Sequence, residues 1–303
     1  MLKQRILTAI VLLALLIPAL LYSNPLPFAG LTLALMMAAA WEWGRLNSPH
    51  TASRWVLVVV TLCLCLMGAQ ALNWAPNLSN FDYSNAAAAS ETLQLQNTNN
   101  AVLGRSFWLG LALLWLIGAP LALKLGLNAW GKTPSGLRLL LGTWILSGAW
   151  LALLQLRLVG MNTLLSCMVL VWVADTGAYA AGKKFGKTKL APSISPGKSW
   201  QGVAGGALAV AVLAAAWLYL DVYASESKSI YTLLKDKWGY LPMAAGVALL
   251  IAMSVVGDLF ESLMKRVAGM KDSSNLLPGH GGVLDRIDAL LPTFVLAMLL
   301  LSI

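Results

Sequence analysis

The sequence predicts an all-α integral membrane protein, and three observations lead to this fold class. Of its 303 residues, 59% are apolar and only 11% are charged, and the mean hydropathy is +0.74. A soluble globular chain is about 45–50% apolar and about 25% charged, so much of this apolar surface must face lipid. The apolar residues also form long runs, and Lys and Arg are concentrated in every second connection between runs. This pattern excludes a cytosolic enzyme, a secreted disulfide scaffold and a disordered tail.

The apolar runs predict about nine transmembrane helices. About 20 mostly apolar residues cross a bilayer, because each adds about 1.5 Å across a core about 30 Å thick. We predict spans at 6–22, 26–43, 55–72, 106–125, 139–159, 163–182, 202–220, 241–257 and 290–303. The first follows Lys3 and Arg5, as in a signal peptide, but it lacks a small-x-small cleavage site and is interpreted as an anchor. The last is the shortest.

The distribution of basic residues predicts the orientation of these helices. With a cytoplasmic N-terminus, sixteen of the 21 Lys and Arg residues lie in cytoplasmic segments and five lie outside. Such an excess marks the cytoplasmic side of membrane proteins. Nine spans then place the C-terminus outside. The outer segment 73–105, rich in Asn, Ser, Thr and Gln, is predicted to be a solvated connector.

Two predicted cytoplasmic segments, 183–201 and 258–289, contain nearly all of the concentrated polar residues. A carboxylate at the end of a membrane helix is costly unless it meets a cation or a water-filled cavity. If span eight continues as a helix, four polar residues share one face, because they recur at i, i+3, i+4 and i+7. They are Asp258, Glu261, Ser262 and Lys265.

The loop after this helix combines acids, cations and glycines. Asp285 and Asp288 are three residues apart, and with Asp258 they would form an all-oxygen site suited to Mg²⁺ shared with substrate phosphates. The glycines near position 280 let the backbone approach a ligand closely. Acids beside fixed positive charge are what phosphoryl transfer requires. The cations are Lys265, Arg266 and Arg286.

His280 and Asp175 each allow two interpretations. His280 lies between glycines, so it is equally a candidate general base and a turn residue that holds the loop. The only other histidine is His50, which gives no basis for a zinc site. Asp175 is a single acid inside span six, and we expect it to face the bundle interior. The Lys-rich loop that follows, ending at Lys198 and Ser199, suits phosphate binding, although the positive-inside rule alone would also explain its lysines.

The run from Ser262 to Asp288 resembles the complete signature of the phosphatidate cytidylyltransferases (CDP-diacylglycerol synthases). It reads SLMKR, four residues, KDSS, two residues, LPGHGGVLDRID, and it matches over 27 residues without a gap. Upstream, DTGAY from Asp175 and SPGKSWQG from Ser195 echo the family pattern. We therefore divide the single polytopic domain, 1–303, into an N-terminal helix bundle at 1–160 and a catalytic half at 163–303.

The resemblance implies a reaction in which CTP and phosphatidic acid give CDP-diacylglycerol and pyrophosphate. It implies Mg²⁺, with Mn²⁺ as an alternative, held by Asp258, Asp285 and Asp288. Asp175, Lys198 and Ser199 would meet the nucleotide or the lipid phosphate. The implied catalytic residues also include Ser262, Lys265, Arg266, Lys271, Asp272, His280 and Arg286.

This polar catalytic site would lie at the cytoplasmic rim of a bacterial inner membrane. The expected partners are the two substrates and the lipid bilayer, with no nucleic-acid polymer, and family likeness implies a homodimer. The lipid phosphate is itself an ionised nucleophile, so no protein nucleophile is required. Two alternatives stay open. One is a lipid-alcohol kinase or a cytidylyltransferase for another phospholipid-like acid, and the other is a transporter or scaffold that binds headgroups without turnover.

Overall fold

The computed structural model describes residues 2–22, 24–71, 104–223 and 227–302, and this part of the chain is built almost entirely from helices. The predicted connector 73–105 therefore lies almost wholly outside the described residues. The α-helices of the described part are α1 (Leu2–Leu21), α2 (Leu26–Asn47), α3 (Thr51–Ala71), α4 (Arg105–Leu113), α5 (Ala119–Lys132), α6 (Ser135–Val159), α7 (Met161–Phe185), α8 (Trp200–Asp221), α9 (Ile230–Trp238), α10 (Tyr240–Val267), α11 (Leu284–Ile287) and α12 (Leu290–Ser302).

The predicted fold class is confirmed. Seven helical segments of the described chain are long and apolar enough to cross a membrane: α2, α3, the continuous run Arg105–Lys132, α6, α7, α8 and α10. The first and last predicted spans correspond to shorter apolar helices, Ile6–Leu21 and Leu290–Ser302. The total of nine spans and their orientation remain predictions.

The fourth spanning segment is longer than predicted and is bent. A π-helical turn, Leu114–Gly118, joins α4 to α5, and Gly126 interrupts α5 with a φ of +78°. Glycine adopts this left-handed conformation without steric cost. The bend lets the last turns of α5 reach the end of α2, where the Trp130 indole donates a hydrogen bond to Asn47 Oδ1 at 3.3 Å.

An aromatic cluster fastens α2 and α5 to α10. The Phe260 ring lies 6.1 Å from Trp43, 5.9 Å from Trp115 and 5.0 Å from Trp130, measured between ring centroids. All four side chains are buried. Such aromatic pairs contribute about 0.5–1.5 kcal/mol each beyond the area they bury. The cluster therefore fixes the helices that carry the polar residues described below.

The predicted loop 183–201 contains a small antiparallel hairpin that sequence reasoning did not anticipate. Strands β1 (Lys189–Ala191) and β2 (Ser195–Ser199) pair Lys189 with Ser199 and Ala191 with Ser195. The Ser199 hydroxyl then caps α8 by accepting a hydrogen bond from the Gly202 amide at 3.2 Å. Strands this short carry no clear alternation of apolar and polar residues, so their pairing leaves little signal in the sequence.

Helices α7 and α8 form a tightly packed hairpin through small residues. A Cβ added at Gly206 would lie 2.5 Å from the Ala174 carbonyl oxygen, and one at Gly177 would lie 2.8 Å from Ala209 Cβ. Small residues let membrane helices approach closely enough for extensive van der Waals contact. The two helices therefore touch backbone to backbone along this seam.

We expect Gly206→Ala to destabilise the protein by about 1–3 kcal/mol, because the added methyl overpacks the α7–α8 seam. Gly110 in α4 is the matched control, since nothing lies within 4 Å of a Cβ built there. Gly110→Ala should be neutral or slightly stabilising, because Ala is the better helix former. Thermal unfolding of both variants in one detergent measures the difference. Equal unfolding midpoints would contradict the close approach.

Candidate active site

The predicted polar residues meet where α10 contacts strand β2, α11 and α2, and where α2 also contacts α11. The 27-residue motif supplies the last turns of α10, the loop 268–283 and α11, and the hairpin supplies Lys198. Both predicted polar segments therefore contribute to one region of the structure.

Asp285 lies at the centre of this region and is bound by protein groups on both carboxylate oxygens. Its Oδ1 accepts a hydrogen bond from Lys265 Nζ at 2.7 Å. Its Oδ2 accepts from the Ser273 amide at 2.9 Å, the Ser273 hydroxyl at 2.8 Å and the Gly282 amide at 2.8 Å. Burial by itself would raise the pKa of Asp285, but the hydrogen bonds from Lys265 and Gly282 outweigh it and lower the pKa to about 2. The carboxylate is therefore ionised at physiological pH.

Lys265 is held between two acids. Its Nζ lies 2.5 Å from Glu261 Oε2 and 2.7 Å from Asp285 Oδ1. The side chains of Glu261 and Asp285 are only 2% and 7% exposed. Breaking a buried pair of this kind is strongly destabilising, because it leaves an uncompensated charge. Lys265, which is predicted to contact a phosphate, is thus already paired with protein carboxylates.

Lys198 and Asp258 form a second ion pair, which is more accessible. Lys198 Nζ lies 2.5 Å from Asp258 Oδ2, and the two side chains are 24% and 30% exposed. The Ser262 hydroxyl donates to Asp258 Oδ1 at 3.3 Å, one helical turn away on α10. Solvent reaches this pair, and so would a phosphate.

Asp175 does not face the bundle interior as expected; it is exposed. The physical reason is the α7–α8 seam, where Ala174 and Gly177 pack against α8 and leave Asp175 on the open side of α7. Its charge still interacts with those of Lys198 and Asp258. Asp175 therefore lies beside the accessible ion pair.

Asp288 lies in the turn between α11 and α12. Its Oδ1 accepts a hydrogen bond from the Ala289 amide at 2.7 Å. Burial and the negative charge of Asp258 raise the pKa of Asp288 to about 7. The two carboxyl groups are thus close enough to repel each other when both are ionised.

Two arginines of the motif fasten loops. Arg286 Nε donates to the His280 carbonyl at 3.1 Å, and Arg286 Nη2 donates to the same oxygen. Arg266 Nε donates to the Ile194 carbonyl at 3.2 Å and so ties α10 to the hairpin. The His280 amide donates to the Leu277 carbonyl at 2.8 Å. This backbone turn favours the loop-holding interpretation of His280.

The remaining predicted residues differ in their surroundings. Lys271 and Asp272 are exposed in the loop after α10. Ser199 is buried, and its hydroxyl accepts the hydrogen bond that caps α8. The first two are accessible to a ligand, whereas Ser199 has a local structural role.

Glu42 of α2 belongs to this region although it was not among the predicted site residues. Its side chain is completely buried. Its Oε1 accepts hydrogen bonds from the Ser274 hydroxyl and, at 3.0 Å, from the Val283 amide. Its Oε2 accepts from the Ser273 hydroxyl at 3.1 Å and the Leu284 amide at 2.6 Å. One carboxylate therefore connects α2 to two separate parts of the motif, residues 273–274 and 283–284.

Comparison with known proteins agrees with this arrangement. Residues 3–303 match the model of the cytidylyltransferase family. The chain belongs to the cytidylyltransferase family. A phosphatidate cytidylyltransferase of Haemophilus influenzae is 38% identical, in an alignment that covers 96% of this chain and 95% of that protein. One of Pseudomonas aeruginosa is 38% identical over 290 residues, covering 96% and 93%. One of Thermotoga maritima is 45% identical over 122 residues, covering 40% and 42%. The family resemblance inferred from the motif is confirmed.

The three acids predicted to bind a metal in this cytidylyltransferase are not gathered into one ligand cluster. Across the described ranges, no group of three or more His, Cys, Asp or Glu residues is arranged to hold a metal ion. Asp285 in particular uses both oxygens for Lys265, Ser273 and Gly282. Asp258 likewise has both oxygens bonded, to Ser262 and Lys198, so the metal-ligand roles of these acids stay predictions. Among the three acids, the charges of Asp258 and Asp288 interact with each other.

A sequence signal for Glu42 was present. It is the only acid within the predicted span 26–43 of this cytidylyltransferase. An acid inside a membrane helix marks a functional or structural polar contact, as was argued for Asp175. The same rule applied to α2 would have selected Glu42, but it would not have named its partners.

Proposed function

We propose that the chain transfers the cytidylyl group of CTP to phosphatidic acid, giving CDP-diacylglycerol and pyrophosphate for phospholipid biosynthesis. The observation that carries the proposal is the folding of the 27-residue motif into one connected polar site next to Lys198 and Asp258. Family membership and the printed names of relatives that cover 96% of the chain support it.

The proposed reaction forms one bond and breaks one. A phosphate oxygen of phosphatidic acid attacks the α-phosphorus of CTP, and the bond from that phosphorus to the β-phosphate oxygen breaks. The electron pair leaves with pyrophosphate. Negative charge gathers between the reacting phosphates, so fixed positive charge lowers the barrier.

The accessible cations of the site are suited to this task. Lys198 would contact a phosphate in its partly exposed position, and the motif adds the exposed Arg266, Lys271 and Arg286. Lys265 and Asp285 are enclosed and would keep the loop in place. The lipid headgroup would enter from the membrane side and CTP from water.

We propose that the reaction depends on Mg²⁺, with Mn²⁺ as an alternative. Asp258 and Asp288 would hold the metal, because two neighbouring carboxylates that repel each other fit a divalent cation. Mg²⁺ usually takes one or two protein carboxylates and completes its ligands with substrate phosphates and water. When bound, it supplies positive charge between the phosphates.

The direct test uses purified protein in mixed micelles with phosphatidic acid, CTP and Mg²⁺, following both pyrophosphate and the lipid product. We expect CDP-lipid only when all three are present, and none after chelation. Turnover of ATP with diacylglycerol would instead identify a lipid-alcohol kinase. Folded protein that binds the lipid but consumes no nucleotide would identify a headgroup-binding scaffold.

We further propose a bacterial inner membrane location with the site facing the cytoplasm, and a homodimer. The excess of Lys and Arg on the side that carries the site supports the orientation. Chemical cross-linking in membranes tests the dimer, which predicts a cross-linked species of twice the 32.3 kDa chain mass.

The orientation predicts opposite labelling of two exposed lysine positions. In a chain without its three cysteines, Lys228→Cys should react with a membrane-impermeant maleimide in intact cells. Lys187→Cys should react only after the cells are permeabilised. The cysteine-free chain is the control for background labelling. The opposite pattern would reverse the proposed orientation.

A further inference from the structure

We propose that Glu42 is a positioning residue for the transfer reaction, which holds the signature loop 268–283 in its active arrangement from helix α2. The proposal rests on the proposed function, since it concerns the rate of that reaction. Glu42 is completely buried and so acts only through the groups it binds.

Among the described residues, every hydrogen bond to the Glu42 carboxylate comes from the motif. The two oxygens together accept hydrogen bonds from the hydroxyls of Ser273 and Ser274 and from the amides of Val283 and Leu284. A carboxylate has about four acceptor positions, and four groups of the motif lie at them. Glu42 therefore fixes the start and the end of the loop segment 273–284 relative to α2.

The contacts of Glu42 continue to the acid at the centre of the site. The single hydroxyl proton of Ser273 is shared between Glu42 Oε2 at 3.1 Å and Asp285 Oδ2 at 2.8 Å. Asp285 in turn accepts from Lys265 of α10. There is no free space here, because a Cβ added at Gly282 would collide with the Ser273 hydroxyl and the Glu42 carboxylate. A shift of the loop at Glu42 therefore moves Ser273 and Asp285 as well.

The docking of α2 onto α10 does not depend on this carboxylate. Trp43 already packs against Phe260 in the buried aromatic cluster. Asn47 Nδ2 also donates to Met264 Sδ of α10 at 3.4 Å. Changing Glu42 should thus leave the helices packed and release mainly the loop. Small misplacement of reacting groups is costly in rate, on the order of 10²-fold for about 1 Å.

The test compares Glu42→Gln with Thr32→Val. The amide has the size of the carboxylate but only one acceptor oxygen, so its NH₂ group must face a backbone N–H or a hydroxyl that donated before. Thr32 lies buried in the same helix and accepts from the Trp150 indole at 3.2 Å, but it has no bond to the loop. Both variants lose a buried hydrogen bond in α2, and only Glu42→Gln loosens the motif.

We expect Glu42→Gln to lower kcat by roughly 10²-fold. Hydrogen exchange of a peptide covering residues 273–284 should become faster in Glu42→Gln and stay unchanged in Thr32→Val. The exchange measurement does not depend on turnover, so it separates failure of this inference from failure of the proposed function.

Two results would overturn the inference. One is wild-type kcat in Glu42→Gln with unchanged exchange of the loop, and the other is an equal loss of kcat in Thr32→Val. If Glu42→Gln does not fold, Glu42→Asp replaces it. That variant keeps the charge on a side chain one methylene shorter, and it should show the same selective increase in loop exchange, with a smaller fall in kcat.

Discussion

Asp285→Asn is expected to reduce kcat by roughly 10³-fold, the upper end of the effect of removing one key polar group from an active site. Lys265 would lose one of its two acidic partners, and the Ser273 and Gly282 amides would face an NH₂ group or a weaker acceptor. The loop that carries the motif would then lose its central anchor. Steady-state kinetics with CTP and phosphatidic acid in mixed micelles measures the effect.

The same substitution should lower the free energy of unfolding by about 3 kcal/mol, because a buried ion pair is broken from one side. The exposed Asp236, which pairs with Lys228 at 2.8 Å, supplies the control. Asp236→Asn should leave turnover unchanged. It should change the free energy of unfolding by no more than about 1 kcal/mol. Near-normal turnover in folded Asp285→Asn would contradict the central role of this acid.

The pKa of Asp285 fixes the sign of its pH dependence. Its ordinary pKa is 3.8 and the folded value is about 2. A lowered pKa means that the stabilisation is fully present above the ordinary value and is lost as the pH falls through the folded value. Any loss of activity between pH 7 and pH 5 therefore comes from another group.

Asp258→Asn is expected to reduce turnover by roughly 10²-fold with little loss of stability. The Lys198–Asp258 pair is partly exposed, and such pairs contribute about 0.2–1 kcal/mol. The substitution should also raise the Mg²⁺ concentration needed for half-maximal rate by roughly 10-fold or more. A Mg²⁺ titration of the initial rate, alongside thermal unfolding, measures both quantities.

Lys198→Met separates the proposed phosphate-binding role of Lys198 from the proposed metal-binding role of Asp258. It removes the partner of Asp258 but keeps the acid, so the Mg²⁺ requirement should stay close to that of the unchanged protein while the KM for a phosphate-bearing substrate rises. Asp258→Asn with unchanged rate and unchanged Mg²⁺ requirement would remove this acid from the proposed metal site.

The membrane helices were predictable because lipid imposes long apolar runs that are visible residue by residue. The chain segments of the site were predictable for a different reason, since the motif is continuous in sequence. Which residues of the site contact each other was not predictable. The sequence predicts a phosphate contact for Lys265 and a metal contact for Asp285, but it does not predict that the two bind each other, because residue types do not specify which charges pair when the chain folds.

Asp175 and Glu42 illustrate the same limit. Both are single acids in predicted spans. Burial was expected for Asp175, which is exposed, whereas Glu42 is buried. Which face of a helix is enclosed depends on where its small residues lie, as at Gly177 and Gly206 of the α7–α8 seam. The partners of Glu42 are 231 to 242 residues away, beyond any local pattern.

That distance along the chain matters while the protein is being made. Helix α2 leaves the ribosome long before Ser273 and Leu284, and at about 5–20 residues per second Glu42 waits roughly 10–50 s for its partners. An acid inside an inserted helix is costly, and the apolar residues before Glu42 must offset that cost during insertion. A nascent chain that stops before residue 273 keeps an unsatisfied carboxyl group in the membrane. We expect membrane proteases to remove such a chain faster than the same fragment carrying Glu42→Leu.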